Sequence, residues 1–195
     1  IRDVAVTGVQ TCALPISIDA GSFDGRVFSY VASFGLFTRT SYETDRELKN
    51  KIGHLAYLLT GVQELKHIVS YPVRVEADGE TIEDEFFFGS MCNTRSLGGT
   101  VKLPLAKDDL SDGRHELLMV RKPRSITELS GLLPTVVAGK YDHPLLVYRH
   151  VQQAVFTMPE GLSWSLDGER ADAGTRVEVK NLHHAYRLML PAPKP

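Results

Sequence analysis

From Ile18 onward, apolar and polar positions mostly follow the period of a β-strand. Val73 and Val75 alternate with Arg74 and Glu76, as a half-exposed strand requires. Ile18–Phe23 and Arg26–Ala32 flank Asp24-Gly25, and Pro72–Ala77 and Thr81–Cys92 flank Asp78-Gly79. Asp-Gly between apolar runs predicts a two-residue hairpin, because both residues tolerate the positive φ such turns need. Phe86-Phe87-Phe88 has no polar partner positions and predicts burial on both faces. Further strands are predicted at Leu117–Arg121, Leu145–Met158, Arg176–Lys180 and Ala185–Leu190, and Phe34-Gly35-Leu36-Phe37 reads as an apolar loop over a pocket.

Two segments break this pattern. Thr44-Asp45-Arg46-Glu47 is a capping box, followed by Leu48, Ile52, Leu55, Leu59 and Val62 on one helical stripe. Ser125-Ile126-Thr127-Glu128 is a second capping box, opening a short helix that Pro134 is expected to end or kink. The predicted class is α+β: a predominantly antiparallel β-sandwich with two helical insertions.

Composition narrows the function classes. The 195 residues are 43% hydrophobic and carry a formal net charge of -2, which suits a globular domain with a real core. No basic patch interleaved with aromatics marks a nucleic-acid partner. The two cysteines, Cys12 and Cys92, have no ligand-like spacing, which argues against a disulfide framework or a zinc site and for a reducing compartment. No uncharged stretch approaches the ~20 residues of a spanning helix, so any membrane role is expected to be peripheral.

Val6-Thr7-Gly8-Val9-Gln10-Thr11-Cys12-Ala13-Leu14-Pro15-Ile16 fits no element. It matches the in-frame translation of a common short-read sequencing adapter. Residues 1–17 are therefore expected to be non-native, with 18–191 forming the domain and 192–195 a tail; the alternative is an ordinary N-terminal strand and loop.

Three constellations carry candidate chemistry. Asn93-Thr94-Arg95-Ser96-Leu97-Gly98-Gly99 follows a buried strand. Its Asn93 and Arg95 side chains suit a phosphate, and the same composition suits a polar strand-exit turn. Lys107-Asp108-Asp109-Leu110-Ser111-Asp112-Gly113-Arg114 is either a loop for a hard cation such as Mg²⁺ or a solvated acidic turn. Trp164-Ser165-Leu166-Asp167-Gly168-Glu169 holds the chain's only Trp and either a general base, Glu169, or a plain hairpin. Asp78-Gly79-Glu80 repeats that last tripeptide, so the tripeptide alone is no signature. His183-His184 has no companion carboxylate at ligand spacing and reads as a solvated turn. Nucleotide-loop and nucleophile-elbow motifs are absent from the sequence.

Taken in order, Val31–Gly35, Lys49–Gly53 with Leu55–Leu59, Asn93–Gly99, Ser111–Gly113 and Trp164–Glu169 resemble the C-terminal domain of the bacterial diacylglycerol kinase-like lipid kinases, relatives of the sphingosine kinases. The resemblance covers residues 25–191. It implies phosphoryl transfer from ATP to the free hydroxyl of a lipid such as diacylglycerol, with Glu169 as the base. It implies a Mg²⁺ site built from the Asp112 carboxylate, a group of Asp109 and the Arg114 backbone carbonyl. It assigns Asn93 and Arg95 a binding role facing a cleft between domains.

In that family a Gly-Gly-Asp-Gly-Thr loop in an N-terminal domain binds ATP. That loop is missing from this sequence, so the chain is expected to be a truncated, catalytically incomplete fragment. The expected setting is cytoplasmic and peripheral at the inner membrane face, with no nucleic-acid partner and with a homodimer as a compatible assembly. The alternative is a non-catalytic lipid-binding β-sandwich.

Overall fold

The computed structural model describes residues 14–35, 68–97, 101–104 and 109–190. Thirteen strands appear in chain order. The first seven are β1 (Leu14–Phe23), β2 (Arg26–Phe28), β3 (Val31–Gly35), β4 (Tyr71–Ala77), β5 (Glu80–Cys92), β6 (Ser96–Leu97) and β7 (Val101–Lys102). After a 3-10 turn at Asp109–Ser111 come β8 (His115–Arg121), helix α1 (Ile126–Val137), β9 (Leu146–Val151), β10 (Gln153–Thr157), β11 (Trp164–Leu166), β12 (Glu169–Ala171) and β13 (Arg176–Leu190).

Eleven strands join in one sheet, in the order β12-β11-β3-β5-β4-β10-β13-β1-β2, with β8 pairing β5 and β9. β6 and β7 form a separate hairpin. Every pairing is antiparallel. The antiparallel, strand-rich expectation holds, but the expected sandwich of separate sheets is one sheet curled on itself. Two long strands cause this. β5 pairs β4 through Glu80–Phe86 and β3 through Phe88–Cys92. β13 pairs β10 through Arg176–Lys180 and β1 through Val179–Leu190. Each passes the hydrogen bonding from one half of the sheet to the other.

The curl brings the two ends of the strand order together. Phe23 of β1 meets Trp164 of β11 at 4.9 Å between ring centroids. Phe34 and Phe156 pack on the same indole, at 4.9 and 5.1 Å. These offset and edge-on contacts suit the ring quadrupoles, and the indole Nε1 donates to the Met158 Sδ at 3.2 Å. Trp164 is therefore fully buried core. Phe34, expected in a loop over a pocket, is also core, because β3 runs on to Gly35.

A second hydrophobic layer lies behind β5 and β8. Phe86, Leu117 and Met119 face the first core, while Phe87, Phe88, Leu118 and Val120 pack with Leu129, Leu132 and Val136 of α1. Burial of the Phe86–Phe88 run on both faces follows. Ser125 caps α1, its hydroxyl accepting the Glu128 N–H at 3.1 Å, while the Glu128 carboxylate accepts the Arg124 N–H. The helix runs through Pro134 to Val137 rather than ending there, closed by the Ala138 N–H on the Pro134 carbonyl. The helix expected over residues 44–62 lies outside the described residues.

Asp24-Gly25, Asp78-Gly79 and Asp167-Gly168 are all hairpin turns, with positive φ at both positions of each. Two predicted strands are broken. Residues 29–30 separate β2 from β3, and Gln152 separates β9 from β10. Conversely, the two strands predicted in 176–190 are one, β13, with His184 at φ 53 inside it. β1 begins at Leu14, so Leu14-Pro15-Ile16 is paired with Leu190-Met189-Leu188.

Candidate functional site

The site is built where the ends of the curled sheet meet. Leu166 and Glu169 pair across the Asp167-Gly168 turn. The Asp167 carboxylate accepts the backbone N–H groups of Ser29, Tyr30 and Val31 at 2.7, 2.9 and 2.8 Å, and the Ser29 hydroxyl at 3.0 Å. The carboxylate thereby gathers three successive backbone donors at the β2–β3 break. Burial pushes the Asp167 carboxyl up, but the bonds from Ser29, Val31 and Tyr30 outweigh it and hold it below its usual value. Asp167 is thus the residue that fixes the hairpin. Glu169, the next residue but one, stands exposed at the start of β12.

Asn93 lies at the centre of the next layer. Its backbone N–H donates to the Tyr30 carbonyl at 3.1 Å. Its buried side-chain Nδ2 donates to the Asp19 carbonyl at 2.8 Å and the Leu110 carbonyl at 3.1 Å. Asn93 therefore ties β1, β5 and the 109–114 loop together, with its amide N–H groups spent on protein carbonyls. Arg95 sits on the exposed exit from β5, where its carbonyl accepts the Leu103 N–H.

In the 109–114 loop, the Asp112 Oδ1 accepts the Arg114 N–H at 2.9 Å. The Arg114 carbonyl accepts the Asn181 Nδ2 at 3.2 Å. The Asp109 backbone opens the 3-10 turn. The Asp112 carboxylate and the Arg114 carbonyl are both hard oxygen donors, the type Mg²⁺ takes. Hydrogen bonds thus connect the hairpin bearing Glu169 to this loop: Asp167 to residues 29–31, Tyr30 to Asn93, and Asn93 to Leu110.

A polar cavity of about 540 Å³ opens beside the loop, lined by Asp112, Gly113, Gln152, Gln153, Lys180, Asn181 and His183. Beneath it is Asp19, fully buried. Its Oδ1 accepts the His184 N–H at 2.7 Å and contacts the His183 Nδ1 at 3.1 Å. Its Oδ2 accepts the Gly113 N–H at 2.7 Å and the Asn181 Nδ2 at 3.2 Å. The expectation that His183-His184 is a solvated turn without a companion carboxylate is overturned. The carboxylate comes from β1, across the sheet. Burial pushes the neighbouring His115 down to about 4, against a smaller upward pull from Asp19, so this imidazole is neutral at pH 7.

Solved structures share the fold. A Bacillus anthracis diacylglycerol kinase crystal structure superposes with a TM-score of 0.62 at 14% identity, covering 92% of this chain and 55% of that one. A second chain from the same organism gives a TM-score of 0.71 at 20% identity, covering 92% of this chain and 58% of that one. The profile of the YegS C-terminal NAD kinase beta sandwich-like domain matches residues 31–185, and the chain belongs to this domain family of the diacylglycerol kinase-like proteins. Diacylglycerol kinase of Staphylococcus carnosus is 30% identical over 156 residues, covering 79% of this chain and 50% of that protein. Its Staphylococcus aureus counterpart is 30% identical over 169 residues, with 86% and 51% covered. The chain spans about half the length of these relatives.

Proposed function

We propose that this chain is the lipid-side half of an ATP-dependent lipid kinase that moves the γ-phosphoryl group to a lipid hydroxyl of the diacylglycerol kind. The hydrogen-bonded path from the Asp167 turn through Asn93 to the 109–114 loop carries the reading. It links the hairpin that bears the exposed carboxylate of Glu169 to the 109–114 loop. Glu169 takes the proton from the lipid hydroxyl as that oxygen attacks the γ-phosphorus. The oxygen–phosphorus bond to the lipid forms as the bond to ADP breaks. Mg²⁺, when held by the Asp112 carboxylate, a group of Asp109 and the Arg114 carbonyl, supplies positive charge that braces the loop. Asn93 positions β1, β5 and the loop, and the exposed Arg95 carries a guanidinium of the kind that binds phosphate. The ATP-binding part belongs to sequence outside this chain, and the lipid is reached at the cytoplasmic membrane face; no helix among the described residues is long and apolar enough to cross a membrane.

The test joins this chain to the N-terminal half of the Staphylococcus carnosus enzyme. Transfer from labelled ATP to diacylglycerol in mixed micelles is expected from the joined protein and not from the chain alone. Transfer by the chain alone would overturn its incompleteness. Micelle binding by the joined protein without any transfer would favour a non-catalytic lipid-binding domain.

A further inference from the structure

Two irregularities face each other across the β1–β13 ribbon. The pairing register shifts between Ile18 and Ala20, which turns Asp19 inward. Opposite it, His184 takes a φ of 53, a left-handed conformation that non-glycine residues rarely adopt. Adjacent side chains on a regular strand point to opposite faces. Here the imidazoles of His183 and His184 instead stack on one side, with centroids 3.7 Å apart and planes 27° apart. One ligand atom from each of Asp19, His183 and His184 lies within 4.8 Å of the other two.

Asp19 is 0% exposed, and among the described residues its partners are two backbone N–H groups, the Asn181 amide and the His183 ring. These are dipoles, except for a protonated imidazole. A fully buried carboxylate calls for a formal positive charge. We propose that Asp19, His183 and His184 bind one transition-metal cation, Zn²⁺ by the preference of two imidazoles and one carboxylate. His183 is exposed and lines the polar cavity, so the cluster is reachable from solvent. The site is distinct in donor chemistry from the oxygen-only loop at 109–114. It shares a scaffold with that loop, since the Gly113 N–H and the Asn181 amide both hold Asp19.

The probe is Co²⁺ alone, titrated into the full chain and read by its visible absorption, with Zn²⁺ competition and metal analysis after dialysis. One Co²⁺ per chain, displaced by Zn²⁺, is the expected result. His183→Ala and His184→Asn each remove an exposed ligand, and Asn accepts the left-handed backbone. Each is expected to weaken binding about 100-fold or more, given that even loss of an outer-shell partner costs 10–100-fold. Circular dichroism of the metal-free variants confirms that they fold. Glu80→Gln, at a carboxylate paired with Arg149 in another hairpin, is expected to leave Co²⁺ affinity unchanged, and Co²⁺ uptake needs no phosphoryl transfer, so the outcome is independent of the kinase reading. Absence of Co²⁺ uptake, or unchanged affinity in His183→Ala and His184→Asn, would overturn the proposal. So would loss of uptake in Glu80→Gln.

Discussion

The tripeptide Asp-Gly-Glu occurs twice, at 78–80 and 167–169, in the same turn geometry. In both, the Asp carboxylate crosses to another segment and caps a chain break. Asp78 accepts the Gln152 and Gln153 N–H groups at 2.9 and 3.1 Å, and Asp167 accepts three N–H groups and a hydroxyl. The glutamates part company. Glu80 is locked in a two-pronged ion pair with Arg149, at 2.9 and 3.0 Å. Glu169 makes no ion pair among the described residues and stands exposed. The aspartates serve architecture in both hairpins. Only the surroundings of the glutamate separate a strut from a candidate base.

The sharpest separation is kinetic. Glu169→Gln in the joined enzyme should cut phosphoryl transfer by about 10²–10⁴-fold, the range of a positioned base, while Glu80→Gln should leave it near wild type. Equal effects in the two variants would break the comparison. Next is stability, read by urea unfolding. Asp167→Ala strands more donors than Asp78→Ala, so losses of about 3 and about 1–2 kcal/mol are expected. A larger loss at Asp78 would reverse the order of the two caps. The smallest effect is in acid. The Asp167 carboxyl is lowered from its ordinary 3.8, so its contribution is fully present above that value and fades as pH falls through the folded value. The stability gap between wild type and Asp167→Asn should therefore narrow below pH 3.8. A gap constant with pH would show that the carboxylate charge is not what caps residues 29–31.

Local chemistry made much of the fold readable. Asp-Gly needs only its own backbone freedom to set a hairpin, and the Phe86–Phe88 run carries its two-sided burial in its composition. The breaks at 29–30 and at Gln152 were hidden, because the groups that stabilise them arrive from Asp167 and Asp78, far along the chain. Within Ile18–Phe23, Asp19 carries no local signal of its own. Its role depends on a register shift set by β13. Trp164 drew notice as a lone aromatic beside a candidate base, yet it anchors the core. At the candidate site, the loop at 109–114 was legible as a carboxylate-bearing turn. Its link to Asn93 was not, since an amide aimed at two remote carbonyls leaves no local pattern.

The β1–β13 ribbon has a kinetic consequence. It pairs Leu14 with Leu190, and its bulged middle supports Asp19 and His183. Closing so long a loop costs entropy that is recovered only once the intervening strands are ordered. The three Asp-Gly hairpins can zip early, from contacts a few residues apart. The Asp19 pocket is then among the last features to assemble, so a refolding chain gains most of its sheet before it gains this polar cluster.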